Sequence, residues 1–256
     1  MKLSSPASSP ELALCPLERA HYDAMAHLYM PHQRPAGGLL ARSEGVDDPE
    51  WNHLRRDMSD QADWSRGADA ARRALSPHGL RPVLVVGAGE PGPGWTSLFV
   101  HWWGVWRGGA AARVDLDDAV SPVRDELELE AYIASFMRTY ADDEPDPGYG
   151  ALLRRSFQRR DAVWRALHYV ARWRGRVVGG ATTMLGPGFA GLYNLVIEPE
   201  ARRRGLGRAL TLRRVRDAQA RGVSTIFLQT ADARVEALQR RSGFEFALRR
   251  RGWAPP

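Results

Sequence analysis

Gly191-Leu192-Tyr193-Asn194-Leu195-Val196-Ile197-Glu198-Pro199-Glu200-Ala201-Arg202-Arg203-Arg204-Gly205-Leu206-Gly207, running into Arg208-Ala209-Leu210-Thr211, decides how the chain is read. It reads as an apolar strand, a proline stop, a turn of arginine and glycine, and a helix start. That order builds an anion site. Gly205 and Gly207 leave the backbone bare, so amide N–H groups at a helix N-terminus can face a phosphate with no side chain in the way. Arg202, Arg203, Arg204 and Arg208 gather positive charge around the same point.

Working outward, the 256 residues suffice for one large domain or two of about 130 residues each. A hydrophobic content of 44% with 26% charged residues describes a soluble globular chain. The single cysteine, Cys15, excludes an internal disulfide and a cysteine-based zinc site, and favours a cytoplasmic setting. No metal is expected. There is no signal-like apolar run at the start and no stretch of membrane-spanning length, so neither secretion nor a membrane partner is expected.

The net charge of +6 hides a division. Residues 1–150 hold 14 basic and 23 acidic side chains, and residues 151–256 hold 22 and 7. An anionic partner for the second part follows from that asymmetry: a nucleotide cofactor, a phosphorylated substrate or RNA. Arginine supplies 35 of the 36 basic residues, which a biased genome would also produce.

Upstream of the stretch, the first half reads as helix over 17–30, a short helix over 49–58, a clearer helix over 65–76, a strand over Pro82–Val86, a helix over 96–103 and a strand over 113–116. Gly87-Ala88-Gly89-Glu90-Pro91-Gly92 matches the spacing of a dinucleotide fingerprint, but Pro91 and Pro93 remove donors and Glu90 repels phosphate. It is read as a loop. Trp95, Trp102, Trp103 and Trp106 are read as core or an inter-domain face. A boundary falls near 119–124, giving domains 1–120 and 121–256.

The second half opens with an amphipathic helix over 126–140, an acidic loop over 142–148 and a basic helix over 149–160. Glu144, Asp146 and Tyr149 are weighed as lid residues facing a cationic amine, against a merely solvated loop. Strands over 168–174, 177–185 and 189–198 form a meander. A helix over 208–220, a strand over 224–230, a helix capped by Asp232 and ended by Gly243, and a strand over 244–248 complete the chain.

Ile197-x-Pro199 followed by Arg202-x-x-Gly205-x-Gly207, with the helix behind it and Ser242-Gly243-Phe244 further on, resembles the GNAT superfamily of N-acyltransferases over about residues 125–253. The resemblance implies an α/β fold with a mixed, mostly antiparallel central sheet and flanking helices. The first half looks like a worn second copy without the R-x-x-G-x-G turn, so a tandem architecture with no cofactor in residues 1–120 is expected. That half would wall the acceptor pocket or contribute to a homodimer.

The resemblance further implies that Arg202, Arg203, Arg204, Gly205, Leu206, Gly207 and Arg208 hold the pyrophosphate of coenzyme A. Backbone groups of Leu195, Val196 and Ile197 would meet the pantetheine and the thioester carbonyl. The side chains of Leu195 and Ile197 read as core. Where the family commonly carries a tyrosine that protonates the departing thiolate, this sequence has Gln239, with Asp232, Val235 and Leu238 in the same register. An amide donates a hydrogen bond but has no proton to give; a thiolate with a pKa of about 8.5 can leave unassisted. For a general base the residues offer Tyr193, Asn194, Glu198 and His168, with Tyr193 and Asn194 first as lining residues.

The leading functional expectation is transfer of an acyl group from acetyl-CoA or another acyl-CoA to a small-molecule amine in specialised metabolism. The competing one keeps the fold but takes the acyl group from an aminoacyl-tRNA. It draws on Gln239 and on arginines beyond the turn, such as Arg154, Arg213 and Arg249. A non-catalytic RNA-binding module is the third.

Overall fold

A computed structural model describes residues 15–28, 32–33, 38–43, 46, 48–58, 61–109, 111, 115–140, 148–159 and 163–256. The acidic loop with Glu144 and Asp146, and Arg113 and Val114, lie outside the described residues. In chain order the elements are α1 (Pro16–Leu28), β1 (His32–Gln33), β2 (Leu39–Ala41), β3 (His53–Arg55), α2 (Gln61–Leu75), β4 (Leu84–Val86), β5 (Thr96–Trp106), β6 (Val120–Pro122), α3 (Glu126–Thr139), α4 (Gly148–Gln158), β7 (Arg165–Trp173), β8 (Arg176–Gly186), β9 (Phe189–Ile197), α5 (Leu206–Gln219), β10 (Thr225–Thr230), α6 (Ala233–Ser242) and β11 (Phe244–Ala254). No helix among the described residues is long and apolar enough to cross a membrane.

Two compact units result. The first holds residues 1–16, 30–100 and 250–256, and the second holds 17–29 and 101–249. This division does not follow a cut at 120: α1 from Leu17 onward and residues 101–120 fall in the second unit.

In the first unit β1, β2 and β3 are antiparallel, β3 and β4 run parallel, and Arg251–Trp253 of β11 pairs with β4. The amphipathic helix α2 buries Trp64, Ala71 and Leu75 against Leu54, Leu84 and Val86. Residues 49–58 hold the strand β3, not a helix. Their apolar positions are too few to fix a period, and pairing to β2 and β4 decides the conformation. Residues 96–106 likewise form a strand, rich in aromatic and branched side chains, so the 87–95 loop joins strand to strand.

In the second unit the strand order is β5-β10-β9-β8-β7-β6, antiparallel throughout except for the β9–β10 pair. The crossover from β9 to β10 runs through α5. Successive strand residues point to opposite faces, and the packing shows it. Tyr169 and Ala171 of β7 meet Leu206, Ala209 and Leu210 of α5, whereas Val170 between them meets α3 and α4 through Leu129, Ile133 and Leu153. Asp125 caps α3, its carboxylate accepting the Glu128 amide at 2.9 Å.

Candidate active site

β9 and β10 are paired only from Phe189 to Leu192, opposite Thr225 to Leu228. Beyond Leu192 they part. At the same place β9 slips against its other neighbour. Gly180 faces Val196 and Thr182 faces Tyr193, so Asn194 and Leu195 together oppose Ala181. This is a β-bulge, and Asn194 adopts φ 54°, a left-handed conformation that asparagine tolerates better than most residues. The bulge inverts the alternation of the strand. Leu192 packs toward α5, and so do Leu195 and Ile197, while Val196 joins α3 on the opposite face.

Two buried side chains hold the bulge. Arg214 of α5 is 1% exposed and donates from Nη1 to the carbonyls of Tyr193 and Thr182, each at 3.2 Å, and from Nε to Leu210 O at 3.2 Å. Burial alone pushes its pKa down, to about 10, so it stays a cation at neutral pH. Tyr132 of α3 donates its hydroxyl to Asn194 O at 3.1 Å.

The amide of Glu198 donates to Val178 O at 2.9 Å, which fixes the phase of the β8–β9 ladder. By alternation the backbone of Ile197 turns the other way, toward the side that β10 has left. Its carbonyl there accepts Nε of Arg202 at 2.9 Å, tying the turn to the end of the strand.

Past Pro199 the chain makes one short 3-10 turn, and Arg203 follows with φ 59°. Gly205 has φ 84° and stands as the N-cap of α5 with no side-chain cap. A Cβ there would be strained by conformation and 3.1 Å from Leu116 Cδ1. At Gly207 the nearest atom to a Cβ would be Leu238 Cδ2 at 3.4 Å, ordinary contact. The first turn of α5 carries no acid, and Ala209 N is the first amide to bond back, to Gly205 O. The amides of Leu206, Gly207 and Arg208 are left at the mouth of the turn. Arg202, Arg203, Arg204 and Arg208 are all exposed around it. Arg204 lies over Trp173, its Cζ 4.0 Å from the ring centroid, and Cζ of Arg174 lies 4.4 Å from the same centroid.

The remaining candidates separate. Gln239 is buried on α6, its Nε2 donating to Thr211 Oγ1 at 3.1 Å, and Thr211 donates to Gly207 O at 3.0 Å. Its Oε1 is buried with no hydrogen-bond partner among the described residues. Tyr193, on the face away from α5, has its hydroxyl 2.7 Å from Nδ1 of His21 on α1. Phe227 and Trp103 pack around that pair.

Glu198 is locked by Arg138 (Nη2 at 2.7 Å) and Arg176 (Nη1 at 2.8 Å). Burial works to raise its pKa, but these hydrogen bonds outweigh it and hold the carboxylate low. His168 is buried between Ser156 and Thr182, and desolvation lowers its pKa to about 4. Neither is free to serve as a base. His21, Tyr132 and Arg214 were not singled out by their sequence context. His21 lies 172 residues from Tyr193, and an arginine within a basic helix gives no sign of burial.

Among proteins of known family, residues 129–244 match the acetyltransferase (GNAT) family. A [Ribosomal protein bS18]-alanine N-acetyltransferase of Escherichia coli strain K12 is 32% identical over 93 residues, 36% of this chain and 63% of that protein. The chain thus spans less than two thirds of that relative. Among solved structures, a GCN5-related N-acetyltransferase from Kribbella flavida superposes with a TM-score of 0.66 at 17% identity, covering 93% of this chain and 95% of the other. A tandem GNAT protein from the clavulanic acid biosynthesis pathway gives 0.59 at 16% identity, covering 96% and 90%. Likenesses at this identity establish the fold alone.

Proposed function

We propose, from the match of residues 129–244 to the acetyltransferase (GNAT) family, that this chain moves an acyl group from acyl-CoA, acetyl-CoA in the simplest case, to the amine of a small molecule. The observation that carries the reading is the pairing of an uncapped, acid-free α5 N-terminus with a strand that leaves its neighbour two turns of chain earlier. A pyrophosphate fits the first and an extended pantetheine arm fits the second. The residues present suit that donor: Gly205, Leu206, Gly207 and Arg208 offer backbone amides, and Arg202, Arg203 and Arg204 offer charge.

The donor supplies an activated thioester. The chain's part is to hold it and to stabilise charge on its carbonyl oxygen. Backbone groups of Leu195, Val196 and Ile197 line the open side of β9, and an amide aimed at the developing oxyanion is worth roughly 2.7–4 kcal/mol. On the opposite face Tyr193 would relay the ammonium proton of the acceptor, directly or through a water, its phenol oxygen taking that proton as its own hydroxyl proton passes to Nδ1 of His21. Asn194 lines the same turn of chain. Gln239 lies on the donor side and orients Thr211; with its amide spent there, the thiolate leaves without an acid from α6.

We place this chemistry in residues 121–256 together with α1, and assign residues 1–120 no donor site. In the first unit β3 and β4 stay paired to their ends, Leu54 N to Val83 O at 2.9 Å and Arg56 N to Val85 O at 3.0 Å. Arg55 is buried there against Asp57, so no slot opens.

The test is thermal unfolding with acetyl-CoA, since a ligand bound to the folded state raises the midpoint. An upward shift is expected, and it should vanish in a folded Arg204→Glu/Gly205→Asp double variant. No shift at millimolar acetyl-CoA sinks the reading. A second reading, an aminoacyl-tRNA donor, is favoured by Gln239 in place of an acid and by the basic second half. It requires tRNA binding that weakens steeply with salt.

A further inference from the structure

The hydrogen bond from Tyr132 to Asn194 O is the end of a buried chain. Ser156 Oγ lies 3.1 Å from His168 Nε2, His168 Nδ1 lies 2.9 Å from Thr182 Oγ1, Thr182 Oγ1 lies 3.2 Å from the Tyr132 hydroxyl, and that hydroxyl lies 3.1 Å from Asn194 O. All four side chains are at most 2% exposed. One placement of hydrogens aligns the three inner contacts. Nδ1–H donates to Thr182, Thr182 donates to Tyr132, and Tyr132 donates to the carbonyl, while the single Ser156 proton is shared between Leu153 O at 2.9 Å and Nε2. Burial keeps the imidazole neutral, as that placement needs. Donors aligned in one direction polarise one another, each bond strengthening the next by ~10–30%.

The far end of the chain is a peptide group, and peptide groups are planar. In a trans peptide the carbonyl and the amide of the next residue point in opposite directions. Fixing Asn194 O therefore fixes Leu195 N–H. Drawing electron density toward that oxygen also makes the amide a stronger donor. The β8 ladder cannot do this at the bulge, because Asn194 and Leu195 share a single opposing residue. Tyr132 supplies what the ladder lacks.

We propose that Tyr132 is a positioning residue for acyl transfer: its hydroxyl aims and polarises the Leu195 amide as the donor to the thioester carbonyl, with Thr182, His168 and Ser156 holding it in register. The assignment rests on the acyl-CoA reading and names the residue that tunes its oxyanion donor. Tyr132 touches neither substrate. It acts through the Asn194–Leu195 peptide.

The experiment is isotope-edited infrared spectroscopy of acetyl-CoA carrying 13C at the thioester carbonyl, bound to the full chain. A hydrogen bond to that carbonyl lowers its stretching frequency. The parent protein is expected to lower it relative to free acetyl-CoA. Tyr132→Phe is expected to bind acetyl-CoA within about threefold of the parent and to show a clearly smaller lowering. Thr182→Val, which keeps the tyrosine and removes its donor, is expected to shift in the same direction and serves if Tyr132→Phe does not fold. A full parental lowering in either folded variant overturns the proposal. So does a parent that binds acetyl-CoA with no change in frequency, which leaves the acyl-CoA reading standing. A parent that does not bind acetyl-CoA removes both.

Discussion

Arg214 Nη1 donates to Tyr193 O at 3.2 Å from a side chain that is 1% exposed. The described contacts of the guanidinium are backbone carbonyls, those of Tyr193, Thr182 and Leu210, one on each of three elements. A cation held this way ties α5 to both β8 and β9 at the bulge. Removing it leaves buried acceptors unpaired, a loss of about 1–3 kcal/mol for each such group. Arg214→Met, which keeps much of the volume, is expected to lower the urea midpoint by an amount equal to roughly 2–4 kcal/mol, with acetyl-CoA binding weakened. An unchanged midpoint would show that the bulge holds its shape without the charge.

The two glycines of the turn are expected to differ. Gly205 has φ 84°, where a side chain costs about 1–2 kcal/mol, and a Cβ would also crowd Leu116. Gly207 meets nothing closer than 3.4 Å. Gly205→Ala should lower the unfolding midpoint and reduce acetyl-CoA affinity, whereas Gly207→Ala should leave stability within about 0.5 kcal/mol of the parent and keep binding. Isothermal titration of both variants checks the pair; equal effects would contradict the geometry.

Trp173 orders Arg204 by stacking, and that order is expected to matter only when an anion is bound. Trp173→Ala should raise the dissociation constant for acetyl-CoA about fivefold, the equivalent of about one kcal/mol, close to the strength of an exposed cation–π contact. Coenzyme A itself, titrated in the absence of acceptor, suffices. An unaltered constant would mean that Arg204 does not meet the donor.

His168 gives the fold a pH dependence of definite sign. The unfolded imidazole takes up a proton near pH 6.5, while the buried ring resists it to about pH 4. Stability therefore falls as pH drops from 6.5 toward 4, by at most roughly 3 kcal/mol from this group. His168→Asn is expected to be less stable at pH 7 but to show a flatter profile across that window. Parallel profiles for parent and variant would remove His168 as the cause. Carboxylates such as Glu198 add their own acid lability below their unfolded pKa, and it is common to both proteins.

What the sequence disclosed was local chemistry. Proline at 199, glycine at 205 and 207 and arginine between them state a strand end, a turn and a helix start within a dozen residues, and the structure has all three. The meander and the helices α3 and α6 carried clear periods or caps, whereas the arginines at 213, 214 and 216 blur the apolar stripe of α5. Strand β5 did not, because its aromatic and aliphatic side chains follow one another without alternation. β3 is too short to carry a period. The bulge left little mark: asparagine favours turns over strands, but one such residue inside an apolar run does not fix a bulge. Tyr132 showed in the helical stripe as a core residue, which it is, but its hydroxyl acts across 62 positions of chain. His21 pairs with Tyr193 across 172. Interactions at such separations are written only in the fold.

The phase inversion in β9 gives the strand two sides that can be edited separately. Upstream of Asn194 the odd position, Tyr193, faces away from α5; downstream the odd positions, Leu195 and Ile197, face toward it. Substitutions around Tyr193 need not disturb the residues that would line the proposed thioester arm, although both belong to one strand. A lineage carrying this kink could change the molecule it modifies while keeping the molecule it draws on.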